Sequence, residues 1–358
     1  MVICFLAPAN SAHIIKWCNY FTTRGHEVHV ISFVNDKIPG TSVHFVDCGA
    51  EGDSSDLKKI NYLFRAKKIR RLVEEISPDV VNVHYATSYG AVAALSGLKG
   101  YILSVWGSDI FSFPLKSPLH KALLKFSLNR AAYLFSTSRA MADEAGKYTE
   151  KEFEITPFGV DMELFSPDKR KRNDDDFIVG TVKSLACEYG IDYLIKAVSL
   201  VRKEHPEIPI KLRIAGKGPE EISLKNLAKD KGIDDITTWL GFISQEEAAG
   251  EWANFDLAVV YSVSESFGVS AVEAESCMCP VIISDLPGLM EATSPGTTSM
   301  VVPGEDEKKL AEAIYTLYLD ESNRSDMGKK GREFVREHYE YHRCFEKIER
   351  LFESIRTS

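Results

Sequence analysis

Two hydrophobic periods alternate along this chain. Short runs of apolar, mostly branched residues recur, and each is followed by a loop and then by a stretch with apolar residues three and four apart. The first pattern predicts strands buried on both faces; the second predicts helices that cover them. In the first half, residues 2–6, 28–33, 80–84, 102–105, 135–138 and 156–161 read as strands. Residues 13–24 read as a helix with Ile14, Trp17, Cys18 and Phe21 on one face and Gly25 as its stop. In the second half, strands are expected at 177–182, 211–215, 237–240, 257–261 and 281–284. Helices are expected at 191–201, with Leu194, Val198 and Val201 as the buried stripe, and at 269–277, 307–318 and 326–339. Strand–helix–strand units imply parallel sheets with right-handed crossovers.

At 358 residues and 44% hydrophobic content, the chain can build two cores. The pattern divides it into domains at 1–165 and 166–340, followed by a tail at 341–358. The charged, non-periodic stretch KRKRNDDD at 169–176 reads as the linker. No apolar run reaches the roughly 18 residues of a membrane span. The opening MVICFLAPAN has no basic leader and reads as a first strand. Seven scattered cysteines suit reduced thiols and a cytoplasmic location. Net charge is −9, distributed as +1 over residues 1–165 and −10 over the remainder. So acidic a second half argues against nucleic acid as a partner. The first loop lacks G-x-G-x-x-G, which argues against a dinucleotide-dependent dehydrogenase.

The chemistry concentrates in residues 261–290, YSVSESFGVSAVEAESCMCPVIISDLPGLM. A helix starting near residue 269 would present the N–H groups of Ser266, Phe267, Gly268 and Val269 to an anion. Glu265 and Glu273 flank that position. Carboxylates repel phosphate and accept from hydroxyls, so sugar hydroxyls on either side of a diphosphate fit. This stretch resembles the E-x7-E motif of retaining glycosyltransferases of family GT4, embedded in D-L-A-V-V-Y-S-x-x-E-S-F-G-x-x-x-x-E-A and followed by C-P-V-I-x-S-D-x-x-G.

The resemblance implies a GT-B fold: α/β, two Rossmann-like domains with parallel sheets facing across a cleft, the tail crossing back to the first domain. It assigns acceptor binding to the first domain and the nucleoside-diphosphate sugar to the second. Glu265 then contacts the donor sugar and Glu273 the ribose, with the amides of 266–269 on sugar and diphosphate. Lys183 matches a base that neutralises the diphosphate, whereas Glu188 stands where a second base is expected; either that charge is lost and donor binding weakened, or another lysine replaces it, with Lys217 as the candidate. Backbone around Phe242 and Ile243 meets the nucleobase, Gly216 in the tight turn after the 211–215 strand is a further donor-binding candidate, and Gly288 and Glu291 close the sugar pocket. In the first domain, Asn10-Ser11-Ala12 replaces the family's Gly-Gly pair near the donor phosphates, with Ser11 as the candidate contact. Trp106-Gly-Ser-Asp109 resembles the H-G-x-D loop with Trp in place of His, leaving Asp109 as the polar candidate for catalysis. His13, His84 and Trp106 are placed on the acceptor side; for His13 a helix-start role is an equal reading. No D-x-D closes a strand, so no metal or other cofactor is expected.

The implied reaction moves a sugar, with retention, to a glycan or lipid-linked acceptor in surface polysaccharide synthesis, such as lipopolysaccharide or capsule, at the inner face of the cell membrane. Residues 110–142 contain no acidic residue but carry Phe111, Phe113, Lys116, Lys121, Lys125, Arg130 and Arg139. They read either as a helix burying Leu119, Leu123 and Phe126 under a basic face, or as a peripheral contact with an anionic membrane. A second basic stretch, 58–71, reads as a solvated helix face. Two other functions share the motifs: a sugar-nucleotide 2-epimerase on the same fold, and a nucleotide-sugar-binding protein with little catalysis.

Overall fold

The computed structural model describes residues 1–49, 61–172 and 175–356. The chain forms two compact units, Met1–Phe158 with Cys344–Ser358, and Gly159–Arg343. The first unit is built on seven parallel strands: β1 (Val2–Leu6), β2 (Glu27–Ser32), β3 (Ser42–Phe45), β4 (Val80–His84), β5 (Ile102–Val105), β6 (Tyr133–Ser136) and β7 (Phe153–Ile155). Their spatial order is 3-2-1-4-5-6-7. The order reverses between β1 and β4, which leaves a crevice outside the carboxyl ends of those strands, where ligands of such sheets collect. Helix Ala12–Thr23 buries Ile14, Trp17, Cys18, Tyr20 and Phe21. The last helix, Tyr341–Arg356, lays Phe345 against Trp17 at 5.5 Å and Phe352 against Phe21 at 5.4 Å.

The second unit repeats the design with six parallel strands: β8 (Phe177–Val182), β9 (Ile210–Ala215), β10 (Thr237–Gly241), β11 (Leu257–Val260), β12 (Val281–Ser284) and β13 (Ser299–Val302). Their order is 10-9-8-11-12-13, so the reversal lies between β8 and β11. Alternate residues of the central strands feed two apolar layers, one on each face: Val179, Leu212, Leu257 and Val259 on one side, Ile178, Ala258, Val260 and Ile283 on the other. Burial on both faces is why these strands read as continuous apolar runs. The GT-B architecture of two parallel-sheet α/β units is thus present. Among the described residues no helix is long and apolar enough to cross a membrane.

Several sequence expectations need correction. Residues 159–165, assigned by pattern to the first domain, pack in the second unit: Val160 and Phe165 join its core, and Val160 N–H donates to Tyr339 O at 2.7 Å. The charged linker is fastened at its basic end, because Arg170 and Arg172 pair with Asp256 at 2.9 and 2.6 Å. The expected strand at 156–161 is a loop, with β7 lying just before it. In helix Pro118–Arg130 the buried seam is Leu124, Ser127 and Leu128; Leu119 faces solvent, and Leu123 and Phe126 are half-buried. In the 58–71 stretch, Lys58 and Lys59 fall outside the described residues, Arg65 is the N-cap of helix Ala66–Ile76, and that helix carries Lys67, Lys68, Arg70 and Arg71.

Candidate active site

In the second unit, four backbone segments converge where the strand order reverses. β8 runs into Lys183, whose N–H donates to Ala215 O at the end of β9 at 2.9 Å. The loop that follows is tied to the turn after β9, Leu185 N–H donating to Lys217 O at 3.1 Å. Gly216 has φ of 138°, and a side chain there would run into the Lys183 carbonyl, so glycine is what lets the two loops touch. The loop after β11 hangs on the same structure: Val263 and Ser264 N–H groups both donate to Glu188 O, at 2.8 and 3.1 Å. Helix Val269–Ser276 begins behind Gly268, at φ 102°, and Ser270 Oγ donates to Val182 O at 3.0 Å. Ala271 N–H donates back to Gly268 O at 3.0 Å, and the N–H groups before it have no carbonyl within the helix to bond.

Lys183 and Glu265 meet in this convergence. Lys183 Nζ donates to Glu265 Oε2 at 2.5 Å, and the two side chains are only 13% and 12% exposed. The ammonium also lies 4.6 Å from the centre of the Tyr189 ring, a cation–π contact that fixes its direction. The second carboxylate oxygen, Glu265 Oε1, accepts from Ser266 N–H at 3.2 Å. Glu273 is half-buried one helical turn on and accepts from Trp252 Nε1 at 3.4 Å. Trp252 and Tyr189 are members of the constellation that sequence reasoning did not single out. Tyr189 had a positional signal, being in the same loop as Lys183; Trp252, on helix Gln245–Asn254, had none.

The remaining candidates of this unit divide by what they expose. Phe267 buries its ring against Tyr339, centroids 5.1 Å apart, so it offers only backbone to a ligand. Phe242 is 78% exposed just past β10, whereas Ile243 is half-buried against the core. Gly288 lies so close to the Glu265–Ser266 backbone that an added Cβ would come within 2.8 Å of Glu265 O. Glu188 is exposed and contributes its carbonyl to the loop; its carboxylate stands near Cys187 Sγ, at 3.5 Å. Lys217 is exposed, with its side chain running over Gly241.

The candidates of the first unit form an aromatic cluster at the ends of β1, β4 and β5. His13 stacks on Phe158 at 3.9 Å and meets the edge of Trp106 at 5.5 Å. His84 is 0% exposed, with Phe5, Trp17 and Trp106 around it at 5.7, 5.0 and 4.8 Å, and neither ring nitrogen has a hydrogen-bond partner. Burial lowers His84 to about 3 and His13 to about 4, so both rings are neutral at physiological pH. Trp106 is buried and its indole N–H also lacks a partner. Asp109 is 1% exposed; it accepts from Ala86 N–H at 2.9 Å, Gly107 N–H at 2.9 Å and Trp106 N–H at 3.2 Å. Burial raises its pKa despite those bonds. With its oxygens so engaged, Asp109 fixes the loops after β4 and β5. Ser11 precedes helix Ala12–Thr23 without a side-chain capping bond.

Comparison with known proteins follows the same division. Residues 2–138 match the glycosyl transferase 4-like family and residues 163–334 match glycosyl transferases group 1. The D-inositol 3-phosphate glycosyltransferase of Pseudarthrobacter chlorophenolicus is 30% identical over 334 residues, covering 81% of this chain and 75% of that one. The enzyme of the same name from Paenarthrobacter aurescens is 30% identical over 211 residues, covering 56% of this chain and 52% of that one, so here the match spans about half of the relative's length. Among solved structures, sucrose-phosphate synthase from Thermosynechococcus elongatus superimposes with a TM-score of 0.86 at 20% identity, covering 99% of both chains. Anabaena Alr3699/HepE in complex with UDP-glucose gives 0.80 at 18%, covering 99% of this chain and 100% of that one. Two parallel-sheet units with the reversal points described, and sequence matches along most of both halves, lead to one conclusion: this chain belongs to the GT4-like, group 1 glycosyltransferases of GT-B fold.

Proposed function

We propose that the chain moves a sugar from a nucleoside diphosphate to a glycan or lipid-linked acceptor, with the anomeric configuration retained. The observation that carries this reading is the meeting of Lys183, Glu265 and the start of helix Val269–Ser276 where the strand order reverses at β8 and β11. Breaking the anomeric bond builds negative charge on the leaving diphosphate and positive character on the sugar. Lys183 and the helix-start amides stabilise the first, and they are fixed before the reaction begins. Glu265 accepts from sugar hydroxyls and orients the ring; Glu273 accepts from the ribose. The leaving phosphate oxygen takes the acceptor proton on the same face, so the scheme requires no separate protein base and no metal.

The acceptor side carries a second element of the proposal, contact with an anionic membrane surface. Leu115 and Leu119 are each 77% exposed, at the short turn Phe113–Leu115 and the start of helix Pro118–Arg130. Lys116, Lys121, Lys125 and Arg130 are exposed along the same segment. Exposed apolar side chains on a segment rich in lysine and arginine suit the headgroup boundary of an anionic bilayer.

The test of the reaction is the product. With donor and acceptor supplied, the wild type is expected to form a glycoside whose anomeric configuration, read by NMR, equals that of the donor. Glu265→Ala is expected to slow transfer by about a hundredfold. An inverted product, or a Glu265→Ala enzyme working at the wild-type rate, would contradict the assignment. Conversion of the donor with no acceptor present would point to the 2-epimerase instead.

A further inference from the structure

The proposed donor site carries an anion of its own, the Glu265 carboxylate. Glu265 Oε2 takes the Lys183 ammonium at 2.5 Å and Glu265 Oε1 takes the Ser266 N–H at 3.2 Å. These are two of the positive groups that the proposed function assigns to the diphosphate, a side-chain cation and a main-chain amide near the helix start. One carboxylate therefore occupies the place of a phosphate, in a spot where both side chains are nearly nine-tenths covered. Lys183 is held there by its main-chain bond to Ala215 and by the face of Tyr189, so the ammonium is positioned whichever anion it meets.

A nucleoside diphosphate arriving alone must separate Glu265 from Lys183 and then sit beside a carboxylate that has lost its partner. Both effects oppose binding: an ion pair this well covered is strong, and a like charge within several ångströms repels. An intact sugar nucleotide brings its own remedy. Its hydroxyls donate to Glu265 just as the diphosphate takes Lys183, so the carboxylate exchanges one donor for others and stays satisfied.

We propose that Glu265 and Lys183 exchange partners in each catalytic cycle, paired with each other before donor binds and after the sugar has left, and apart while the intact sugar nucleotide is bound. Glu265 is then a specificity residue as well as a sugar contact. It makes the site prefer the whole donor over the nucleoside diphosphate, and it expels that product once the sugar has gone. This inference rests on the reading of Lys183 and Glu265 as the donor site.

The experiment is calorimetric titration of the full chain with matched pairs, UDP and UDP-glucose, GDP and GDP-mannose. Wild type, Glu265→Gln, Glu265→Ala and Lys183→Ala are compared with the pair that the wild type binds. Loss of the carboxylate charge is expected to tighten the free nucleoside diphosphate about tenfold, the scale of one charge-assisted hydrogen bond. The sugar nucleotide is expected to gain nothing, so the preference for intact donor collapses, and Lys183→Ala weakens both ligands. Two independent replacements at 265 guard against a folding defect in one. If both bind the free nucleoside diphosphate no tighter than wild type does, the exchange is wrong while the donor site stands. If the wild type binds neither member of any pair, the donor site itself is wrong, and the exchange falls with it.

Discussion

Glu275 lies two positions after Glu273 on the same helix, yet its situation is the opposite. It is fully buried, neither carboxyl oxygen has a hydrogen bond of good geometry, and Gly331 of helix Glu321–His338 packs onto its stem. Burial raises its pKa from 4.5 to about 8, and the Thr298 hydroxyl offsets little of this. The folded state therefore keeps a proton that the unfolded chain has already lost above pH 4.5. Stability from this group is full below that value and falls as pH rises towards about 8. Glu275→Met is expected to flatten the decline in urea-unfolding stability between pH 5 and 8. At pH 8 it should raise stability by about 2 kcal/mol. Equal slopes for the two proteins would show that Glu275 is not the group responsible. The sequence pattern put Glu265 and Glu273 on either side of a helix start, and helix Val269–Ser276 begins between them. It was silent on Glu275, since burial of a single charged residue on a helix depends on what a distant element lays over it. Trp252 was hidden for the same reason: its bond to Glu273 joins two helices that no local pattern connects.

At the scale of elements, the strand runs were readable because parallel strands buried on both faces are apolar throughout. The face of a helix was harder to read. For helix Pro118–Arg130 the leucines outnumber the buried positions, so sequence alone offers more than one stripe, and packing selected Leu124 and Leu128. The edge strands β3 and β13 gave no clear signal, being half-buried and short. Connections between elements yield two predictions. Gly190 sits at φ 60° before helix Ile191–Glu204, and a side chain there would collide with the carbonyl of Tyr261, just past β11. Gly190→Ala is expected to cost about 2 kcal/mol in thermal or urea unfolding, and to weaken sugar-nucleotide binding by shifting the Lys183 loop. Unchanged stability would mean that the two loops are free to separate. The terminal helix Tyr341–Arg356 is fixed by Glu349, which accepts from His26 Nε2 at 2.6 Å and Tyr20 OH at 3.1 Å, with Arg24 at 3.3 Å. Burial alone would raise the Glu349 pKa, but these partners outweigh it and hold it below its ordinary 4.5. That stabilisation is present above pH 4.5 and is lost as pH falls through the lowered value. Glu349→Ala should lower stability at neutral pH by about 3 kcal/mol and remove this part of the acid dependence. An acid-unfolding curve identical to wild type would place the anchoring elsewhere.

For the whole molecule, the charge division bears on the proposed membrane contact. The half that carries the Lys183 site is strongly acidic, whereas the half that carries Leu115, Leu119 and their lysines is near neutral with a local excess of base. Association with anionic vesicles should therefore depend on this basic patch and fall with salt. Liposome flotation is expected to show binding to phosphatidylglycerol-containing vesicles. Combined neutralisation of Lys121, Lys125 and Arg130 should reduce it; flotation untouched by that change would make the helix ordinary surface. The central claim concerns the second unit and is tested without knowing the acceptor. Calorimetric titration of the chain with UDP-, GDP- and ADP-sugars, in parallel with Glu273→Ala, asks whether one nucleotide sugar binds through the predicted carboxylate. The account predicts one clear preference in the wild type, weakened about tenfold in the variant. Binding of none of them, or binding that Glu273→Ala leaves unchanged, would contradict it.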